Sequence, residues 1–310
     1  MSVRVGTCSW ADDSLSKLWY PPGVSSAEAR LRYYAEHFDT VEVNSSYYAL
    51  PAPEAAQNWV ERTPPGFVFH VKAFAMMTRH PVRVEQLPPD LRELAEFDDR
   101  GRIDHPSREL RSAVFRRFLD AVAPLVDAGK LGGLLMQLPQ YVTFKPSSLD
   151  YLEWAREQLP GTHMLVEFRH RSWLEDANRE RTFDFLRALP ATYVIVDAPP
   201  MASANVAPTV VATTSDTAYV RFHGRNTATW NRRGGSASER FDHLYSRSEL
   251  DEWVEPLREL AAEAREVWAM FNNNGRSTDV AGAPFAQAPA NAAELVELLA
   301  GAGVPVAAAR

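Results

Sequence analysis

The chain has 310 residues, of which 45% are hydrophobic and 24% are charged, and it carries a formal net charge of -7 and one cysteine, Cys8. This composition is typical of a globular protein. The negative net charge argues against a protein that coats nucleic acid non-specifically. A single cysteine excludes an internal disulfide and fits a reducing compartment. No apolar run approaches the roughly 18 residues of a transmembrane helix and no signal-peptide pattern precedes the first strand, so we expect a cytoplasmic protein without a membrane partner.

Strand-like and helix-like patterns alternate along the chain. We predict strands at 3–8, 39–44, 67–72, 133–138, 163–168, 192–197, 217–223 and 266–272. Helices are predicted at about 26–37, 54–62, 111–127, 148–159, 176–188, 248–264 and 291–300. The segment 198–216 shows no helical period and is predicted to be a loop. Strands that alternate with helices in this way predict a parallel (β/α)8 TIM-like barrel in a single domain over 1–310, with a doubly wound open sheet as the alternative.

Individual residues predict where some helices begin and end. Ser25 or Ser26 is expected to cap the first helix, because a serine hydroxyl accepts a hydrogen bond from the free backbone amides of the first turn. Pro124 predicts a kink or an early end in the third helix, and Gly129 predicts its termination.

Polar residues spaced two apart mark the ends of several predicted strands. They are Glu42 and Asn44, His70 and Lys72, Glu167 and Arg169, and Arg221 and His223, with Asp197 alone at the end of its strand. Residues i and i+2 of a strand point to the same side, and the C-terminal ends of parallel strands all open on one face of a barrel. We therefore predict one shared cavity at the C-terminal mouth. The other strands add Cys8, Trp10, Gln137, Asn272 and Asn273.

The residue types predict an anion pocket with acid/base groups. Lys72, Arg169 and Arg221 are expected to bind an oxyanion, because forked guanidinium donors match phosphate and carboxylate. Glu167 is expected to act as general base with His223 as proton partner, and Asp197 is the rival base. An ion-pair network that fills the mouth and aligns the strands is the alternative. The candidate catalytic residues are Glu42, Glu167, Asp197 and His223; the candidate binding residues are Trp10, Asn44, Lys72, Gln137, Arg169, Arg221, Trp230, Asn272 and Asn273.

A metal site is conceivable from the three candidate carboxylates together with His223. Lys72, Arg169 and Arg221 would repel a divalent cation there, and the sequence contains no close spacing of ligands such as HExxH. We therefore predict neither a metal nor a cofactor.

Two long loops flank the predicted mouth. The insertion at about 73–110 fits either a lid or an inert charged flap. His80 within it is expected in a solvated loop, with a position at the mouth as the alternative. The loop at about 224–247 would suit a phosphate, a nucleotide base or a single strand, with a solvated loop as the alternative. Its arginines and aromatics are Arg225, Trp230, Arg232, Arg233, Arg240, Phe241, Tyr245 and Arg247.

A set of short motifs runs in order along the chain. They are Gly6-Thr7-Cys8-Ser9-Trp10, Thr40-Val41-Glu42-Val43-Asn44, Phe67-Val68-Phe69-His70-Val71-Lys72, Gln137-Leu138-Pro139, Val166-Glu167-Phe168-Arg169-His170, Tyr219-Val220-Arg221-Phe222-His223-Gly224 and Phe271-Asn272-Asn273. As a set they resemble the YecE-like family, the domain of unknown function 72. The resemblance implies a TIM-barrel-like fold and a bacterial cytoplasmic protein, and it implies no settled activity. The chain departs from the family pattern at Asn274, where an aspartate is expected.

Three functions remain open on this pattern. The favoured one is a hydrolase-type enzyme that uses acid/base groups on an anionic substrate, with a phosphate-bearing compound as one option. The second is a non-hydrolytic acid/base enzyme such as a sugar isomerase or lyase. The third is a non-catalytic barrel that binds a ligand or nucleic acid. The expected partner is a small anionic ligand or a nucleic-acid fragment, the oligomeric state is not predicted, and the fold alone does not choose among the three.

Overall fold

The protein forms a closed barrel of eight parallel strands in a computed structural model that describes residues 2–201, 203–204, 206–230 and 241–307. The barrel strands are β1 (Val3–Thr7), β2 (Thr40–Val43), β3 (Val68–Lys72), β6 (Leu131–Gln137), β7 (Met164–Glu167), β8 (Ala191–Asp197), β9 (Thr217–Phe222) and β10 (Glu266–Phe271). They follow one another around the barrel in chain order, and β1 closes it by pairing with both β2 and β10. The predicted (β/α)8 fold is therefore confirmed.

Helices connect the strands on the outside of the barrel. They are α1 (Asp13–Leu18), α2 (Ala27–Ala35), α3 (Ala55–Glu61), α4 (Pro89–Arg92), α5 (Arg108–Asp127), α6 (Pro146–Glu157), α7 (Arg179–Ala188), α8 (Arg247–Asp251), α9 (Val254–Glu263) and α10 (Gln287–Gly301). Ser26 caps α2 as predicted, since its hydroxyl accepts from the backbone amide of Ala29 at 3.0 Å. None of the helices in the described part of the chain has the length and apolarity to span a membrane.

Several elements differ from the sequence prediction. Helix α1 was missed because it is short and polar; the Asp12 carboxylate caps it by accepting from two backbone amides. Helix α5 continues past Pro124 to Asp127. Because proline has no N–H, the carbonyl of Asp120 lacks its helical hydrogen-bond donor. Asp120 is an exposed residue, so water can supply that hydrogen bond. The helix predicted at 248–264 is two short helices, α8 and α9. The predicted loop at 198–216 contains neither helix nor strand in its described residues.

Two small antiparallel pairs lie outside the barrel. Strands β4 (Val82–Arg83) and β5 (Arg102–Ile103) pair within the 73–110 insertion, and β11 (Arg276–Thr278) pairs with β12 (Pro284–Ala286). The start of the insertion is held against the barrel by two tyrosine hydroxyls. Tyr151 donates to the carbonyl of Met77 and Tyr141 donates to the carbonyl of Arg79, both at 2.6 Å. These contacts fix the 75–80 segment beside the C-terminal end of β3.

The side chains of each barrel strand alternate between two separate cores. The inner core fills the barrel and includes Leu135, Val194, Val196, Tyr219 and Trp268. The intervening residues of each strand pack outward against the helices. This alternation decides which strand-end residues face the mouth and which face the helices.

A bulge between β3 and β6 makes room for a histidine inside the barrel. The register shifts between Phe69 and His70, and a Cβ atom at Gly132 would lie 2.5 Å from Cε1 of His70. His70 therefore projects into the inner core, where its ring packs edge-on against Tyr219 and Trp268 with centroids 4.7 and 4.5 Å away. His70 therefore packs in the barrel core below the mouth, where its role is structural.

Candidate active site

A buried ion network lies across the barrel axis just below the mouth. Arg221 on β9 is fully buried, and its Nη2 donates to Oε1 of Glu42 on β2 at 2.6 Å. Its Nη1 donates to Oε2 of Glu167 on β7. The hydroxyl of Tyr219 donates to the second oxygen of Glu42 at 2.9 Å. One guanidinium therefore joins two carboxylates from opposite parts of the barrel, and both carboxylates are fully buried.

Glu167 is saturated with donors. Its Oε1 accepts from Gln137 Nε2 and from Arg169 Nη1, both at 3.0 Å, and lies 3.2 Å from Nε2 of His223. Burial alone would raise the pKa of Glu167, but Arg221 and then His223 outweigh burial and hold that pKa well below its ordinary value. Glu167 is therefore an ionised counter-ion whose oxygens are already occupied.

The tautomer of His223 follows from a chain of amide contacts. Asn44 Nδ2 lies 2.9 Å from the carbonyl of Cys8, which only accepts, and the same nitrogen donates to Asn272 Oδ1 at 3.1 Å. Asn272 Nδ2 must then donate to His223 Nδ1, at 2.8 Å. The ring proton is thereby assigned to Nε2, where it is donated to Glu167. Burial lowers the pKa of His223 to about 3, so the ring is neutral at physiological pH.

Two cavities open above this network. The first, of about 410 Å³, is called the amide cavity here and is lined by Cys8, Ser9, Trp10, Ala11, Asp12, Asp13, Val43, Asn44, Ser45, Tyr48, Lys72, Phe241, Asn272 and Asn274. The second, of about 370 Å³, is called the cationic cavity and is lined by Tyr47, Tyr48, Lys72, His80, Gln137, Leu138, Pro139, Gln140, Tyr141, Arg169 and Phe241. No aspartate or glutamate is among the described residues that line the cationic cavity. Lys72 lines both cavities.

Lys72 is a charged group at the mouth that forms no ion pair with any residue the structure describes. Its Nζ lies 4.5 Å from the centre of the Tyr47 ring, and within the described ranges it has no oxygen acceptor in hydrogen-bonding distance. Burial, followed by the charge of Arg221, lowers the pKa of Lys72 to about 8, although Glu167 and Glu42 act in the opposite direction. A measurable fraction of the amine is therefore neutral near physiological pH.

The cationic cavity holds two further basic side chains. The guanidinium of Arg169 lies over the Trp230 ring at 5.1 Å, and the ring of His80 packs edge-on against Tyr47 at 5.2 Å. His80 Nδ1 is 2.8 Å from the hydroxyl of Thr78. Burial, then Lys72 and Arg169, lower the pKa of His80 to about 3, so this ring is neutral while both neighbours carry charge.

The structure separates the predicted site residues, apart from Asp197 and Asn273, into three groups. Those that line a cavity are Trp10, Asn44, Lys72, Gln137, Arg169 and Asn272. Those in the buried network are Glu42, Glu167, Arg221 and His223. Trp230 and Phe241 cover the network: the Phe241 ring stacks on His223 at 4.9 Å. The mouth is therefore two cavities above a closed network rather than one shared cavity.

The prediction that Asp197 lines the mouth is wrong. Its carboxylate accepts from Trp253 Nε1 at 2.6 Å, from the Tyr245 hydroxyl at 2.9 Å and from Arg225 Nη2 at 2.7 Å, on the side of the barrel that faces the helices. Strand alternation explains the error, because Val196 belongs to the inner core and the next residue must point outward. Asp197 serves as an anchor for the α8–α9 region.

The prediction that Asn273 faces the mouth is wrong for the same reason. It follows the inward-facing Asn272, so its amide points outward and donates to the His243 carbonyl at 2.9 Å and to Asn291 Oδ1 at 2.8 Å.

Two arginines of the predicted arginine-rich loop form ion pairs on the outer side of the barrel. Arg225 pairs with Glu252 at 2.7 Å, and Arg247 pairs with Glu294 at 3.5 Å. The predictions for Arg232, Arg233 and Arg240 lie outside the described residues.

Two cavity residues were not among the predicted site residues. His80, expected in a solvated loop, lines the cationic cavity because the tyrosine contacts hold the 75–80 segment there. Asp12 lines the amide cavity, its Oδ2 is buried without a partner among the described residues, and burial raises its pKa. The Asp12-Asp13 pair in the loop after the first strand was the signal for it. No group of three or more His, Cys, Asp or Glu side chains in the described part of the chain is arranged to hold a metal.

Comparisons with known proteins give one consistent family. The model of a family described as "Protein of unknown function DUF72" matches residues 4–309. The UPF0759 protein YunF of Bacillus subtilis is 31% identical over 276 residues, covering 88% of this chain and 89% of that protein. The UPF0759 protein YecE of Escherichia coli O157:H7 is 28% identical over 205 residues, covering 66% and 62%.

Solved structures give the same result. A DUF72 family protein from Thermotoga maritima is 30% identical, with a TM-score of 0.74 and coverage of 97% of this chain and 100% of that chain. A DUF72 family protein from Enterococcus faecalis is 24% identical, with a TM-score of 0.75 and coverage of 96% and 95%. The second match supports the fold alone.

Proposed function

The chain belongs to the DUF72 family, whose description assigns no activity, and from that premise we propose that its barrel mouth binds a small anionic molecule and acts on it by acid/base chemistry. Among the reaction classes considered from the sequence, a lyase or isomerase now fits better than a hydrolase. The two inward carboxylates, Glu42 and Glu167, are buried and occupied by donors, which leaves neither to activate water.

The observation that carries this proposal is the charge of the cationic cavity. Lys72 and Arg169 both line it, and no carboxylate is present among its described lining residues. Charge-assisted hydrogen bonds from such groups to a carboxylate or phosphate contribute about 1.5–3 kcal/mol each. The residues that line the cationic cavity therefore favour an anionic ligand.

Lys72 and His80 supply the acid/base groups. The lowered pKa of Lys72, about 8, lets it gain and lose a proton near neutral pH. His80, whose pKa is lowered to about 3, becomes a proton acceptor only when a bound anion offsets the charges of Lys72 and Arg169. A bound anion would raise the pKa of both groups, because it favours their charged forms. Ligand binding and proton uptake are therefore coupled in this proposal.

Calorimetric titration with inorganic phosphate and with pyruvate tests the proposal. We expect Lys72→Met to weaken binding about tenfold or more, because it removes a charged contact. Lys145→Met is the matched control, since Lys145 is an exposed lysine outside both cavities. Equal affinity in the wild type and Lys72→Met, or no binding of any anion, contradicts the proposal. Competition by a short oligonucleotide would assign the anion to a nucleic-acid fragment.

A hydrolase remains the second candidate because of one observation in the amide cavity. Asp12 Oδ2 is buried there and has no partner among the described residues, although its Oδ1 caps α1. A carboxyl group with a raised pKa is suited to donate a proton to a leaving group. Loss of hydrolytic turnover in Asp12→Asn, with Lys72→Met still active, would favour this second candidate.

A further inference from the structure

Lysine is rare in this chain, and one of its few lysines lines both cavities at the mouth. Only four lysines, Lys17, Lys72, Lys130 and Lys145, are present among 33 lysines and arginines. Arginine stays protonated in proteins, whereas a lysine that loses its proton becomes a nucleophilic amine. The basic residue that lines both cavities is thus one of the few in the chain that can form a covalent bond to a carbonyl carbon.

A second lysine shows what a structural role requires. Nζ of Lys130 donates to the carbonyls of Val60 and Thr63 at 2.9 and 2.8 Å and to the Thr63 hydroxyl at 2.9 Å. These three acceptors use all the donors of an ammonium group. Nζ of Lys72 lies on an aromatic ring instead and has no oxygen acceptor among the described residues. The described residues around it hold the amine in place without stabilising its charge by hydrogen bonds.

We propose that Lys72 forms an imine with the carbonyl carbon of a small anionic aldehyde or 2-keto acid bound in the cationic cavity. This inference rests on the proposed function, because the anion site is what brings the carbonyl carbon to the amine. Arg169 lines the same cavity and would hold the carboxylate or phosphate of the substrate. The cavity, of about 370 Å³, is small and suits a short-chain metabolite.

The step balances without an oxidant or reductant. The lone pair of neutral Lys72 Nζ adds to the carbonyl carbon, a C–N bond forms, and the carbonyl oxygen takes a proton. The resulting carbinolamine expels that oxygen as water, and a C=N bond forms. In the net reaction both protons of the amine leave with the oxygen. His80 lines the same cavity, and in this proposal it relays a proton during these transfers once the bound anion has raised its pKa.

The environment of Lys72 supports the neutral form that this step needs. Burial is the main cause that lowers the pKa of Lys72; Arg221 and Arg169 lower it further, and Glu167 and Glu42 raise it. A protonated imine withdraws electrons from the adjacent carbon, which is the chemistry of a lyase or an isomerase. The inference therefore names a substrate class for the proposed function: a carbonyl compound that carries an anionic group.

Reductive trapping tests the inference. The full-length protein is incubated with pyruvate and cyanoborohydride at pH 7.5, and the modified residue is identified by peptide mass mapping. We expect one adduct per chain at Lys72, formed at least about tenfold faster than at any other lysine, because its lower pKa leaves more neutral amine. Lys145→Arg should react like the wild type, and Lys72→Arg should react only at the background rate of the exposed amines.

Calorimetry with the same pyruvate separates the two proposals. Pyruvate binding without a preferential adduct at Lys72 overturns the imine and leaves the anion site intact. Neither binding nor an adduct overturns the proposed function as well. Thermal unfolding of Lys72→Arg confirms that the variant is folded, so a missing adduct reports on chemistry. An adduct that persists in folded Lys72→Arg at the wild-type rate also overturns the inference.

Discussion

The barrel interior and the barrel mouth both contain charged groups, but they are partnered in opposite ways. Inside, Arg221 joins Glu42 and Glu167, and the carboxylate oxygens all have donors. At the mouth, Lys72 has an aromatic ring beside it and no oxygen acceptor among the described residues. The network has no free hydrogen-bonding atom with which to bind a substrate, because its carboxylate oxygens are all occupied. A charged group that faces an open cavity without such partners can bind one. We therefore assign a structural role to the interior and place the proposed chemistry at the mouth.

The largest effect is expected from breaking the interior network. Arg221→Met leaves two carboxylates buried without their cation, which should cost about 3–5 kcal/mol of unfolding free energy. Urea denaturation of the variant and the wild type measures this loss. Arg187→Met is the control, because Arg187 pairs with Asp184 on the surface at 2.8 Å, where a pair contributes about 0.2–1 kcal/mol. Equal losses in the two variants would show that the network is not structural.

A smaller loss of stability is expected on the outer side of the barrel. Asp197→Asn removes the charge that binds Arg225, Tyr245 and Trp253, and should cost about 1.5–3 kcal/mol. Anion binding should be unchanged, because Asp197 faces the helices and lines neither cavity. If a folded Asp197→Asn variant loses anion affinity in calorimetry, Asp197 belongs to the site after all.

The interior should also determine the acid stability of the protein. Burial, with contributions from His163 and Arg4, lowers the pKa of His70 to about 3, and neither ring nitrogen has a partner among the described residues. Between the ordinary pKa of about 6.5 and pH 3 the unfolded chain binds a proton that the folded chain does not, so stability falls as pH falls. His70→Leu should flatten this dependence by about 1.4 kcal/mol per pH unit. Denaturation at pH 4, 5 and 6 measures the slope, and an unchanged slope contradicts the burial of a neutral His70.

The smallest effect on stability, with the opposite sign, is expected at the mouth. The folded pKa of Lys72 lies below its ordinary value, so a charged Lys72 destabilises the fold below pH 8. Lys72→Met should therefore raise the unfolding free energy at pH 7 by about 0.5–2 kcal/mol while it weakens anion binding. Thermal and urea unfolding check the sign. A destabilised variant would mean that the amine has a structural partner.

Strand alternation predicted much of the site from the sequence. It brought Glu42, Glu167, Arg221 and His223 to one level of the barrel, and Lys72 to the mouth above them. It could not show that Glu167 is saturated, because that depends on distances between side chains from different strands.

The errors have equally specific causes. The run Tyr193-Val194-Ile195-Val196 is apolar on both faces, so it gave no alternation from which to tell that Asp197 points outward. His80 and Phe241 lie on long loops whose paths are set by tertiary contacts rather than by local pattern. Residues on strands were therefore predictable, and cavity residues on loops were not.

The most direct test of the central claim is the pKa of Lys72 measured in the intact protein. Reductive methylation with [13C]formaldehyde gives each lysine an NMR signal, and Lys72→Arg identifies the signal of Lys72. We expect this signal to titrate near pH 8 and to titrate at higher pH when phosphate is added. A signal that titrates near the ordinary lysine value of about 10.4, or that does not respond to phosphate, would contradict the proposed anion-binding mouth around an amine that has no oxygen acceptor among the described residues.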